Sequence, residues 1–182
     1  MPQERKRVYI ETYGCQMNVA DTEVILSLFT MDGYEVTKEM SDADIVLINT
    51  CSIRENAEQR VYGRLGEFKY LKNRNPRVVV GVLGCMAERL RTKLSGQKAK
   101  GVGQIVDMIV GPDEYRKLPE LATRAWCGEK GIAVQLSRFE TYDDIIPLRT
   151  DGISAWISVM RGCDKFCTFC VVPFTRGRER SR

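Results

Sequence analysis

Two runs of consecutive apolar residues, Ile45-Val-Leu-Ile48 and Val78 to Leu83, constrain the fold more than any other feature of the sequence. A strand with one wet face alternates apolar and polar residues, whereas a run apolar at every position must be covered on both faces, as in the parallel sheets of α/β proteins. Helix signals fall between such runs. Arg7 to Tyr13 reads as a strand, and Asn18 is placed to cap a helix over Val19 to Met31 with Val24, Ile25, Leu28 and Phe29 as its apolar stripe. Ser52-x-x-Glu55 is a capping-box signature for a helix whose buried face is Val61, Leu65, Phe68 and Leu71, and Asn73-Arg-Asn-Pro76 stops it. A helix over Met86 to Leu94, a polar Gly-rich loop to Gly103, a strand at Ile105 to Val110, a helix at Asp113 to Cys127 and a strand at Ile132 to Leu136 continue the alternation. Such alternation specifies an open α/β parallel sheet with right-handed crossovers.

That topology gives three cysteines a common address. Cys15, Cys51 and Cys85 each fall just past the carboxyl end of an expected strand, 36 and 34 residues apart. In open α/β sheets those ends share one edge, where ligands bind. A single buried cysteine is usually inert, but three at equivalent strand ends, each leading toward a helix N-terminus that favours thiolate, read as metal ligands. Cys127 has no such setting and reads as incidental.

The chain has seven cysteines and no histidine. That excludes a Ser-His-Asp triad and every His-containing zinc site, so a metal must be held by sulfur, carboxylate or exogenous ligands. Met1 to Arg7 is charged rather than a secretory leader, and no apolar run is long enough to cross a bilayer, so a cytoplasmic protein with reduced thiols is expected.

A second cysteine group, Cys163-Asp-Lys-Phe-Cys167-Thr-Phe-Cys170, follows an expected strand at Ile153 to Val159. A strand followed by a ligand-bearing loop is how a barrel mounts a catalytic group. Three thiolates can hold three irons of a 4Fe-4S cluster and leave the fourth open, although a structural zinc knuckle uses the same residues. The expected organisation is a domain at 1–127, a linker at 128–149 and the start of a second domain at 150–182, too short to bury a core alone. Net charge is +4, and Arg176, Arg178, Arg180 and Arg182 crowd the last seven residues, either as a solvated segment or as a site for phosphates or a cofactor carboxylate.

Cys163-x3-Cys167-x2-Cys170, with Phe169 before the last cysteine, resembles the radical S-adenosylmethionine (SAM) signature. Together with Tyr13-Gly-Cys-Gln-Met-Asn18, Asn49-Thr-Cys-Ser-Ile-Arg-Glu55, Leu83-Gly-Cys85 and Val171-Val-Pro-Phe-Thr-Arg-Gly177, it resembles the methylthiotransferase family over nearly the whole chain. The resemblance implies an N-terminal methylthiotransferase domain followed by the first strand and cluster loop of a radical SAM (β/α) barrel. It further implies two 4Fe-4S clusters: one on Cys163, Cys167 and Cys170, whose open iron binds SAM with Phe169 nearby, and an auxiliary one on Cys15, Cys51 and Cys85. The implied reaction adds a methylthio group to carbon 2 of isopentenyladenosine beside the anticodon of tRNA, using a 5′-deoxyadenosyl radical, an electron donor and a sulfur donor. Rival readings are a relative acting on threonylcarbamoyl-adenosine or a ribosomal protein, and a non-catalytic Cys-rich module that docks RNA. The family's remaining barrel and RNA-binding domain are not in these residues, so a chain of this extent is expected to bind clusters but to turn over poorly. A monomer is favoured.

Overall fold

The computed structural model describes residues 5–51, 55–89, 104–149 and 154–182. Six strands, β1 (Arg7–Tyr13), β2 (Glu35–Val36), β3 (Ile45–Thr50), β4 (Val79–Gly84), β5 (Met108–Val110) and β6 (Gly131–Ala133), form one sheet in the order β2-β1-β3-β4-β5-β6. All five pairings are parallel. The open parallel α/β sheet read from the sequence is the sheet observed.

Every residue of β3 and β4 is buried, as their unbroken apolar runs require. Successive residues of β3 serve opposite layers. Ile45 and Leu47 pack with Ile25 and Phe29 of α1 (Gln16–Met31) and with Leu118 and Leu121 of α3 (Leu118–Trp126). Val46 and Ile48 pack on the other face with Val61, Leu65 and Phe68 of α2 (Glu55–Arg74). Each such side chain stabilises the fold by about 1.5–3 kcal/mol when fully buried.

Several element boundaries move for local reasons. α1 starts at Gln16 with Cys15 as its N-cap. Asn18, expected as the cap, sits in the first turn, and its Oδ1 accepts the Cys15 N–H at 3.4 Å. The strand expected at Ile105 to Val110 begins only at Met108; Asp107 just before it donates its N–H to Val80 O at 2.8 Å, and its carboxylate accepts the Val80 N–H at 2.9 Å. The helix expected from Asp113 is a 3-10 turn at Tyr115–Lys117 before α3, whose early Pro119 suits a helix start. Residues 85–89 are helical directly after β4. The Ser52 capping box, the rest of the helix expected to Leu94, the Gly-rich loop and Ile153 lie outside the described residues.

The expected strand at Ile153 to Val159 is corrected: residues 154–159 form no strand. Trp156, Ile157 and Val159 are exposed, and apolar sequence alone does not make a strand without a neighbour to bond along it. Strand pairing here is limited to β7 (Met160–Arg161) with β8 (Arg180–Ser181), antiparallel. Within 128–149, β6 extends the main sheet, and Tyr142 and Ile145 are buried in the core shared with α1. The Tyr142 hydroxyl donates to Pro112 O at 3.1 Å and accepts the Tyr115 N–H at 3.0 Å. Among the described residues no helix is long and apolar enough to cross a membrane.

Candidate functional site

The register of the three central strands lines up the first cysteine group. Tyr13 lies opposite Thr50, and Thr50 opposite Gly84, so Cys51 and Cys85 each come one residue past the same row of the sheet. Adjacent parallel strands lie about 4.8 Å apart, which sets the lateral scale of the row. Cys15 comes one residue later because Gly14 takes the position beside Cys51. A Cβ at Gly14 would stand 2.7 Å from the Cys51 Cβ and 2.5 Å from Asn18 Oδ1, so only glycine lets the two loops approach. Gly84, at φ +89°, is held likewise: a Cβ there would meet Thr50 O at 2.4 Å. Gly84→Ala is therefore expected to lower unfolding stability by about 1–3 kcal/mol in urea melts.

Buried polar side chains fix this edge. Asn18 Nδ2 donates to Asn49 Oδ1 at 3.2 Å and to Thr50 O at 3.1 Å, while Asn49 Nδ2 donates to Asn18 O at 2.9 Å and Thr22 Oγ1 at 3.0 Å. Both asparagines are fully buried, so their amides must be satisfied within the protein. This lattice ties the loop carrying Cys15 to the strand leading into Cys51.

Cys51 and Cys85 are buried and Cys15 is half-buried. The Cys51 thiol's hydrogen bond is the largest influence on the Cys15 thiol, which is pulled down to about 5. Burial opposes the shift, while the backbone at Asn18 and Met17 and the charge of Arg176 reinforce it. The shift favours the thiolate at Cys15, the form that binds metal and attacks electrophiles. Cys85 Sγ accepts a hydrogen bond from Arg176 Nε at 3.2 Å. Among the described residues no three thiols or carboxylates converge to hold a single metal ion.

Cys163, Cys167 and Cys170 lie together in the loop after β7. Cys163 N–H donates to Gly177 O at 3.1 Å, and Cys170 N–H to Cys167 O at 2.9 Å. Cys167 is exposed and its two companions half-buried. Phe169 is 92% exposed. Phe166, at φ +47°, packs edge-on against Phe174 with ring centroids 6.1 Å apart, and the Arg178 guanidinium lies 4.9 Å from its ring centre. Cys127 is exposed at the end of α3.

The sequence reading missed a buried ionic cluster joining this loop to the sheet. Arg161 Nη1 donates to Asp21 Oδ1 at 2.7 Å, and Arg176 Nη2 to Asp21 Oδ2 at 2.7 Å. Arg180 grips Asp113 with two bonds of 2.8 and 3.0 Å. Burial pushes the Asp21 carboxyl up, but the Arg161 and Arg176 guanidiniums outweigh it and hold the group below its usual range. Two of the four tail arginines are therefore buried ion pairs rather than free cations. Arg178 and Arg182 stay outward, Arg178 pairing with Asp164 at 3.3 Å. The available clue was an aspartate one turn before Val24 and Ile25, set into the buried side of an apolar helix.

Comparison with known proteins gives a family for the stretch that builds β1 to β5. Residues 7–111 match the uncharacterized protein family UPF0004, and the chain belongs to that family. It is 55% identical over 179 residues to the tRNA-2-methylthio-N(6)-dimethylallyladenosine synthase of Chloroherpeton thalassium, covering 98% of this chain and 39% of that protein. The proteins of the same name from Amoebophilus asiaticus and Bacteroides thetaiotaomicron are 53% and 54% identical, over 100% and 98% of this chain and 37% and 38% of theirs. The chain thus spans less than two fifths of the length of these relatives.

Proposed function

We propose that this chain carries the cluster-binding part of a radical SAM methylthiotransferase that adds a methylthio group to carbon 2 of isopentenyladenosine in tRNA. The observation that carries the reading is the group at neighbouring strand ends, Cys51 and Cys85 in register and Cys15 one residue further on, bound through Arg176 to the segment that holds Cys163, Cys167 and Cys170. The name printed for the relatives, a synthase of 2-methylthio-N(6)-dimethylallyladenosine in tRNA, supports the substrate.

The residues fit two iron–sulfur clusters. An all-sulfur donor set with no histidine suits iron–sulfur ligation, and one thiolate per iron does not require the three to meet at a point. Arg176 Nη1 is buried without a hydrogen-bond partner beside Cys85, an unmet cationic donor that suits an anionic group held there. Cys163, Cys167 and Cys170 would hold the SAM-binding cluster and Cys15, Cys51 and Cys85 the auxiliary one. When bound, these groups supply radical generation at one site and sulfur at the other. The protein's own part is to hold the two cysteine groups in fixed relation, while exposed Phe169 offers a face for the adenine of SAM. An electron donor and a sulfur donor complete the reaction, in the cytoplasm.

Deleting the full gene and analysing tRNA nucleosides by mass spectrometry tests this. The methylthio nucleoside should vanish and isopentenyladenosine accumulate, restored by the intact gene but not by one carrying Cys167→Ala. An unchanged nucleoside profile, or loss confined to a threonylcarbamoyl derivative, would overturn the assignment.

A further inference from the structure

The ionic cluster beneath the cysteine loop carries a surplus of positive charge. Three buried guanidiniums, Arg161, Arg176 and Arg180, face two buried carboxylates, Asp21 and Asp113. Arg161 and Arg176 share Asp21 and Arg180 takes Asp113, with Arg161 Nε 3.9 Å from Asp113 Oδ1. Tyr115 and Tyr142 add neutral groups: the Tyr115 hydroxyl donates to Asp21 Oδ2 at 3.3 Å, and the Tyr142 ring lies 4.8 Å from the Arg161 guanidinium. Unmatched buried charge is costly, so such a surplus persists where an anion offsets it. Arg176 is the member that faces one: its Nε bonds Cys85 Sγ at 3.2 Å, and its buried Nη1 has no hydrogen-bond partner.

We infer that Arg176 is a positioning and charge-matching residue for the anionic group held by Cys15, Cys51 and Cys85, and that it sets the reduction potential of that group. The inference rests on the two-cluster reading above. Hydrogen bonds to ligand sulfur and nearby positive charge both stabilise the more negative, reduced state of an iron–sulfur centre, so they raise its potential. Arg176 supplies both from a single side chain. Because it sits on the segment following Cys170, it also links the seat of one cysteine group to the electronics of the other.

The test uses the 182-residue chain carrying Cys163→Ser, Cys167→Ser and Cys170→Ser, reconstituted anaerobically so that only the strand-end site is loaded. Iron content is measured first, then the midpoint potential by a redox titration followed by electron paramagnetic resonance. Arg176→Met should lower the midpoint, Arg176→Lys should lower it less, and Asp21→Asn, which removes negative charge, should raise it. Opposite signs for the two charge changes are the signature, because mere loosening of the fold would shift both the same way. Equal iron with one midpoint in all forms overturns the inference while leaving the cluster reading intact. A parent chain that binds no iron overturns both, and should Arg176→Met fail to fold, the Lys and Asn variants decide the outcome.

Discussion

Serine at Cys15, Cys51 and Cys85 together is expected to remove about half of the iron from the anaerobically reconstituted chain, and serine at Cys163, Cys167 and Cys170 the other half. Two complete clusters correspond to roughly seven to eight irons in the parent. Serine nearly preserves side-chain volume, so the two buried positions, Cys51 and Cys85, should survive the change without opening a cavity. The structure separates the groups onto different elements, three successive strand ends in one case and the loop after β7 in the other, so the losses should be independent. Cys127→Ser is the internal control: the residue is exposed at the end of α3, and its replacement should leave iron content and the brown colour unchanged. A colourless parent that takes up stoichiometric zinc would defeat the two-cluster reading.

What could be read from the residues divides along a physical line. The apolar runs in β3 and β4 dictate strands covered on both faces, and once the strands alternate with helices the positions of Cys51 and Cys85 follow from register. Period and composition are local, so the sheet and its cysteine edge were legible. The fates of Arg176 and Arg180 were not, since each is decided by an aspartate over sixty residues distant in sequence, Asp21 or Asp113. A basic tail looks the same on paper whether it meets solvent, phosphate or a buried carboxylate. The strand expected at Ile153 to Val159 failed for a related reason: its apolar pattern states a preference, but strand formation depends on a neighbour bonded along its length, and among the described residues the backbone bond to this stretch is that of Arg182 N–H to Val159 O at 3.0 Å. Asn18 was misplaced as a helix cap because its amide ties the first turn of α1 to Asn49 and Thr50 of β3, a job visible only once helix and strand are packed together.

Asp113→Ala is expected to be the most destabilising single change, lowering unfolding free energy by about 3–5 kcal/mol. Asp113 is fully enclosed and accepts two bonds from Arg180 and one from the Ser137 N–H at 3.0 Å. Truncation leaves the Arg180 guanidinium buried without a carboxylate, and that uncompensated charge, more than any lost attraction, sets the size of the effect. Replacing both partners, Asp113→Leu with Arg180→Met, should recover much of the loss in urea denaturation, since a matched apolar pair removes the orphan; a double variant no better than Asp113→Ala would refute the charge argument. Acid should act on the neighbouring half of the cluster. Because the Asp21 carboxyl is held below its ordinary value of 3.8, its contribution is fully present above that value and disappears as pH falls through the depressed folded-state value. Stability should therefore decline on acidification below about pH 4, and Asp21→Asn should flatten that part of the profile while lowering stability at neutral pH. A profile of unchanged slope in Asp21→Asn would place the acid sensitivity elsewhere in the fold.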